Sequence, residues 1–477
     1  MNTPERSEYK RADQLLHCKL MLLLGQARKS KGEYLEAQET IERAAEIARS
    51  IDSIDLLVDA ALELSRMSAW YGVSSEPAVR LLEFASEKLD ADEGPLKAKV
   101  LSGLAQALAA AGFRERAAES ALQAVALARR LNDSDLLVRS LIGAVHAFQG
   151  PEHVERRLAY ATELKEINRT HKTKKSGHNY DEMMGIWSLF FAYLELGLMP
   201  EFTAELDAWA AEKWRDAFEE TSLYAYQAMF ALMTGRLADS ERLAQYASDV
   251  GESMQTPISS GTFALQMFTI RREQGRLKEL EPVVRFFVQQ NSADAAWRPG
   301  LALIYSELGL RDEAREQFEY LAQHDFVDIP RDGMWLGSMT YLTDVCNFLG
   351  DRKRATTLYN LLLPYEGRTV VIGNATVCYG AVSRYLGALA ATLERWDDAA
   401  RHFEDALAMN IKMGAHTWIA HTQEQYSMML LARRNAGDRE KAEGLLRAAQ
   451  TTARELRMGG VEERATARLT EIAPDLD

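Results

Sequence analysis

Cysteine is almost missing from this chain: Cys18, Cys346 and Cys378 are the only thiols in 477 residues, far apart and never in CxxC spacing. Their scarcity excludes a disulfide framework and a cysteine-based zinc site, and it fits a reducing cytoplasm. Proline is scarce too, at 11 residues, while hydrophobic residues make up 47% and charged ones 26%, a balance that supports folding throughout rather than disorder. No apolar run reaches the roughly 18 to 20 residues that a membrane span requires. The longest near the start, LLHCKLMLLLG, is broken by His17 and Lys19, and the charges of MNTPERSEYKRADQ are followed by no signal-peptide core. Positive charge is in deficit, with a net charge of −14 and a pI near 5.3. A broad nucleic-acid footprint, which needs clustered Lys and Arg, is therefore not expected.

Motifs that carry chemistry are missing as well. The chain contains no GxxxxGK[ST] loop to cradle a triphosphate, no GxSxG elbow and no HExxH. Its nine histidines are scattered; His402, beside Phe403, reads as a packing residue. The acidic stretches DADEG at 90–94 and DIPRDG at 328–333 lack the twelve-residue EF-hand spacing. Neither a metal, a cofactor nor an enzymatic activity is expected.

Helical periodicity is abundant, and it repeats. In WRPGLALIYSELGLRDEAREQFEYLA, Trp297 to Ala322, the residues Leu301, Ile304, Tyr305 and Leu308 fall on one helix face. Gly309 supplies the turn, Asp312 is placed to cap the next helix, and Ala314, Phe318 and Leu321 continue an apolar stripe. Similar hairpins turn at Gly32, Gly72, Gly112, Gly150, Gly197, Gly235, Gly275, Gly350, Arg395 and Gly437. A chain beyond roughly 300 residues with a period near forty is a solenoid rather than one compact core. About sixteen residues per helix gives arms of roughly 24 Å. The expected fold is an all-α, right-handed solenoid of about eleven helical hairpins, its inner groove lined by the first helix of each pair.

Between Glu163 and Asp181 the pattern loosens into EINRTHKTKKSGHNYD. The expected organisation is an N-terminal subarray over 1–162, a basic loop or hinge over 163–182, a C-terminal subarray over 183–460, and a capping helix and tail over 461–477. A solenoid requires such a cap.

Leu386, Gly387, Trp396, Ala399, Phe403 and Ala406 carry the marker spacing that resembles the tetratricopeptide repeat, and the series of similar hairpins extends the resemblance over nearly the whole chain. The segments WRPGLALIYSELGLRDEA, LYNLLLPYEGRTVV, YGAVSRYLGALAATLERWDDAARHFEDALAMNIKMGAHTW and YSMMLLARRNAGDREKAEGLLRAAQTTARELRMG resemble, more narrowly, the C-terminal repeats of large bacterial signalling ATPases. That resemblance implies a sensor or interaction role without the ATPase.

Carried onto this chain, the repeat's inner-face positions are Thr340, Asp344, Asn347 and Phe348, then Arg384 and Thr392, then Glu424, Ser427, Arg434 and Asn435. Asp344, Asn347 and Arg384 are the expected recognition residues, with Arg384 suited to a carboxylate or phosphate and Glu424 and Ser427 beside them. Trp335 and Trp418 either pack between repeats or form a ligand platform. Ala225, Met229, Leu232 and Met233 make an apolar strip suited to a peptide helix or to packing of the superhelix on itself. The implied function is a cytoplasmic, non-enzymatic module that binds a protein, peptide or small effector. Its alternative is the regulatory part of a nucleotide-dependent transcription activator or cyclase whose catalytic domains lie outside this chain.

Overall fold

The computed structural model describes residues 3–71, 73–89, 94–170, 180–212, 217–252, 257–282, 285–286 and 298–472. Helix follows helix in antiparallel pairs, and the residues at each turn explain why. Gly32, Gly112, Gly197, Gly235, Gly275, Gly309, Gly350 and Gly437 all take the left-handed backbone conformation, which glycine adopts without steric cost. At the turn expected near Arg395, Glu394 takes that conformation instead, with φ 59°. The turn placed at Gly72 lies outside the described residues. Asp312 does not cap: the second helix of its hairpin begins at Arg311, so Asp312 sits in the first turn, where its charge favours the helix dipole.

The contacts divide the chain into two compact units. Unit 1 comprises Met1–Gln149, His153–Leu189 and Gly251–Ser260; unit 2 comprises Gly150–Glu152, Phe190–Val250 and Gly261–Asp477. Of the hinge expected over 163–182, residues 171–179 lie outside the described residues.

Unit 1 is built from α1 (Thr3–Ser30), α2 (Tyr34–Ser50), α3 (Ile54–Tyr71), α4 (Glu76–Lys88), α5 (Pro95–Ala110), α6 (Arg114–Leu131), α7 (Ser134–Ala147) and α8 (Val154–Thr170). Each hairpin packs on the next, and α1, α3, α5 and α7 line up side by side. Alanine sets the helix spacing: Ala98, Ala124 and Ala128 are fully buried beside Leu101, Leu127 and Leu136. Helix α9 (Tyr180–Glu195) follows, and α10 (Met199–Ala210), α11 (Ala217–Met233), α12 (Leu237–Glu252) and α13 (Pro257–Glu273) continue the pairing.

Unit 2 continues with α14 (Arg298–Glu307), α15 (Arg311–Ala322), α16 (Trp335–Leu349), α17 (Arg352–Leu362), α18 (Val382–Thr392), α19 (Trp396–Lys412), α20 (His416–Arg433), α21 (Asp438–Leu456) and α22 (Gly459–Ile472). Here the stack closes on itself. Thr417 donates to the Leu232 carbonyl at 2.6 Å, and His421 meets Glu273 at 2.7 Å. A Cβ on Gly275 would lie 3.2 Å from the Gly460 nitrogen, so the expected capping helix α22 buries Val461 and Ala465 and also seals this junction. Met229, Leu232 and Met233 are fully buried, which answers the question posed by the apolar strip in favour of self-packing.

Among the described residues, a pair of strands interrupts the helices. Strands β1 (Thr369–Ile372) and β2 (Val377–Ala381) form a buried antiparallel hairpin with Val371 opposite Cys378. It fills the interior of unit 2: Ile372 presses on Gly337, where a Cβ would come within 2.1 Å, and Asn374 and Thr376 accept from Tyr226 and Gln266 at 2.8 and 3.1 Å. Nothing in a two-helix repeat anticipates this insertion. The all-α solenoid stands, with one β-hairpin packed inside it.

Candidate functional site

The first-helix face of unit 1 carries a cleft of about 240 Å³, lined by Gln26 from α1, Asp59, Glu63 and Arg66 from α3, Lys99 from α5 and Arg139 from α7. Glycine lets the helices approach: a Cβ on Gly103 would sit 2.4 Å from Leu62, and one on Gly143 2.8 Å from the Ser102 carbonyl. Two cross-helix hydrogen bonds fix that spacing, Ser65 to the Gly103 carbonyl at 2.9 Å and Ser102 to the Arg139 carbonyl at 2.6 Å. Glu63 is 4% exposed and is held by Lys29 and Arg66. Burial pushes its carboxyl up, but Arg66 and Lys29 outweigh this and bring it below its ordinary value.

Lys99 and Arg139 are different. Among the described residues neither has a carboxylate partner, although both face the cleft. Four cations (Lys29, Arg66, Lys99, Arg139) against two carboxylates (Asp59, Glu63) leave two positive charges in excess, on a chain whose net charge is −14. Sequence reasoning missed this face because it treated the C-terminal repeats as the recognition surface. The available signal was the set of Lys and Arg at inner positions of α3, α5 and α7.

The residues expected to recognise a ligand in unit 2 are instead engaged with neighbouring helices, Arg384, Glu424, Ser427, Trp335 and Trp418 buried and Asp344 and Asn347 half-buried. Asp344 accepts from Arg272 at 2.8 Å, and Arg272 also meets Glu307 at 2.6 Å. Asn347 accepts from Thr392 at 2.8 Å. Arg384 is 1% exposed; it reaches Gln425 at 3.3 Å and lies 4.0 Å over the Tyr385 ring. Arg464 holds Glu424 through two bonds of 3.0 and 3.2 Å, and the buried Ser427 turns its hydroxyl back to the Glu424 carbonyl at 2.6 Å. Trp418 is fully buried, its indole N–H donating to the Cys378 carbonyl of β2 at 2.8 Å. Trp335 is also buried, but elsewhere, beneath Arg331 and beside a pocket of about 440 Å³ that includes His324, Thr357 and Asn360.

The structure thus gathers Asp344, Arg384, Glu424, Ser427 and Trp418 within unit 2, but not as an open polar wall. The physical reason is closure of the stack around the β-hairpin, which puts protein where a solenoid groove would hold solvent. Some charge stays unsatisfied: Arg272 Nη1, Glu273 Oε1, Asp344 Oδ1 and Arg384 Nε and Nη2 are buried without a hydrogen-bond partner among the described residues. Reaching Arg384 from solvent requires unit 2 to open.

No protein-family profile and no curated protein matches the chain. Among solved structures it is similar to yeast Tom70, at 10% identity over 89% of this chain and 93% of that one, with a TM-score of 0.26. It is also similar to a structure of Naa15/Naa10 bound to HypK-THB, at 12% identity over 95% of this chain and 86% of that one, with a TM-score of 0.20. Scores this low carry no argument; the fold rests on the helix order and the packing described above. Among the described residues no helix is long and apolar enough to cross a membrane.

Proposed function

We propose that this chain is a non-enzymatic interaction module that binds a short acidic segment of a protein partner along the first-helix face of unit 1. The observation that supports this reading is the pair of cations, Lys99 and Arg139, on adjacent first helices of the cleft, neither with a carboxylate partner among the described residues, while the buried Glu63 is already held by Lys29 and Arg66. A bound segment would lie across α1, α3, α5 and α7, its carboxylates meeting Lys99 and Arg139 while Gln26 offers an amide to its backbone. The free energy would come chiefly from charge complementarity, so affinity should fall as salt screens it. The resemblance of segments within 297–459 to the repeats of bacterial signalling ATPases favours a partner in bacterial signalling, with this chain in the role of the sensor.

Fluorescence anisotropy with labelled acidic, neutral and basic peptides of equal length tests the reading. The acidic peptide should bind, with affinity that drops by at least tenfold in a Lys99→Glu, Arg139→Glu double variant, since each reversed charge replaces attraction with repulsion. Equal binding of all three peptides, or binding indifferent to the double reversal, would overturn it.

A further inference from the structure

On the second-helix side of unit 2 three potential ligand residues converge, although the sequence gives no metal motif there. His402 and Asp405 are three apart on α19 and therefore share a face. Glu366 comes from the turn after α17, where its own N–H donates to the Leu363 carbonyl at 3.2 Å and its carbonyl accepts from Ser383 at 2.6 Å. One ligand atom from each of the three lies within 4.8 Å of the others.

His402 is 0% exposed, and its two nitrogens are served unequally. Nε2 lies 2.9 Å from the Tyr359 hydroxyl and 3.3 Å from Arg401 Nη2. Nδ1 lies 3.2 Å from Glu366 Oε1 but makes no hydrogen bond. With the ring proton on Nε2 and donated to Tyr359, the Nδ1 lone pair faces a carboxylate oxygen, so two acceptors meet with nothing between them. With the proton on Nδ1, its N–H is misaligned with the carboxylate. A cation bound to both atoms resolves the conflict.

Geometry suits one. Metal–ligand bonds of about 2.0 to 2.1 Å at a tetrahedral angle separate two ligand atoms by about 3.3 Å; the observed separation of Nδ1 and Oε1 is 3.2 Å. Tyr359 would fix the ring from its far side, as outer-shell partners of metal-bound histidines do. Arg401 is the cation now present: it bonds Glu366 and lies 3.4 Å from Asp405. Its one contact with the ring is to Nε2, at 3.3 Å, and it leaves Nδ1 without a partner. Arg401 and Asp405 are about half exposed, so one can leave and the other move inward.

We propose that His402, Glu366 and Asp405 bind a divalent transition-metal ion, Zn²⁺ or one of similar preference, with Arg401 holding the two carboxylates until the ion displaces it. The imidazole nitrogen selects against Mg²⁺ and Ca²⁺, which take oxygen ligands. Three protein ligands leave a fourth position for water or an incoming group. Binding would pin the Glu366 turn to α19.

The test is calorimetric titration of the chelator-stripped full chain with Zn²⁺, and with Mg²⁺ for comparison, alongside thermal melts. One Zn²⁺ per chain should bind at micromolar concentration and raise the melting temperature, and Mg²⁺ should do neither. Asp405→Asn and Glu366→Gln should each weaken Zn²⁺ binding by about tenfold or more, while Arg401→Gln, which removes the competing cation, should tighten it. Because His402 is buried and its replacement can unfold the protein, the nitrogen ligand is read on the intact chain by X-ray absorption at the zinc edge. His324→Ala, which removes the exposed pair with Asp328, should leave binding unchanged. Absence of stoichiometric Zn²⁺ binding, binding unmoved by Asp405→Asn and Glu366→Gln, or an all-oxygen zinc shell overturns the proposal.

Discussion

Units 1 and 2 are assembled from the same helical hairpins, yet they treat the first-helix face in opposite ways. In unit 1 that face carries a cleft in which Lys99 and Arg139 have no carboxylate partner among the described residues. In unit 2 it is closed: α20 meets α11, a β-hairpin fills the interior, and Arg272, Glu273, Asp344, His421, Glu424 and Arg464 pair with one another. A charged residue at an inner repeat position is therefore a recognition group or an internal strut according to whether the stack closes. Side-chain type does not decide it.

The sharpest way to break this contrast is to remove a strut. Arg272→Ala leaves Asp344 and Glu307 without their shared cation in a largely buried setting, and deleting one partner of such a group costs about 3 to 5 kcal/mol. Hydrogen exchange should show α14, α16 and β1 losing protection while α3 to α7 keep theirs. Equal loss in α3 to α7 would mean that the two units do not differ as described.

A smaller effect concerns acid. Burial pushes the Glu273 carboxyl up, but His421, Arg272 and Arg464 more than offset this and hold it below its ordinary 4.5. Because the folded value lies below the unfolded one, the unfolded chain binds more protons between them. The stabilisation is complete above about pH 4.5 and is lost as pH falls through the folded value. Glu273→Gln should lower the melting temperature at pH 7 and flatten its decline below pH 4.5; an unchanged acid slope in calorimetry would remove Glu273 from the set of struts.

How much of this was legible in the sequence follows from the range of the interactions. The hairpins were, because Gly309 with Leu301, Ile304 and Tyr305 encodes a turn and a face within a dozen residues. The β-hairpin was not read, although TVVI and TVCY are rich in β-branched and aromatic residues and flank a short GNA turn. Closure of unit 2 was not, since it depends on pairs such as Thr417 with Leu232, 185 residues apart. Arg384, expected on an open inner face, is instead 1% exposed. His402 was read as packing, and only the fold shows that its Nδ1 faces Glu366.

The smallest expected effect is the most discriminating. If unit 1 presents an open cleft, Lys99 and Arg139 contribute nothing to its folding. Both line the cleft with Arg66, a cation of the same sign, Arg139 exposed and Lys99 half-buried, so removing their charge relieves repulsion rather than breaking a pair. Lys99→Ala and Arg139→Ala should each change stability by no more than about 0.5 kcal/mol, while together they weaken acidic-peptide binding, though less than the double charge reversal does. A loss comparable to that of Arg272→Ala, read from chemical denaturation with α5 and α7 monitored by exchange, would make them struts like those of unit 2, and the difference between the two units would disappear.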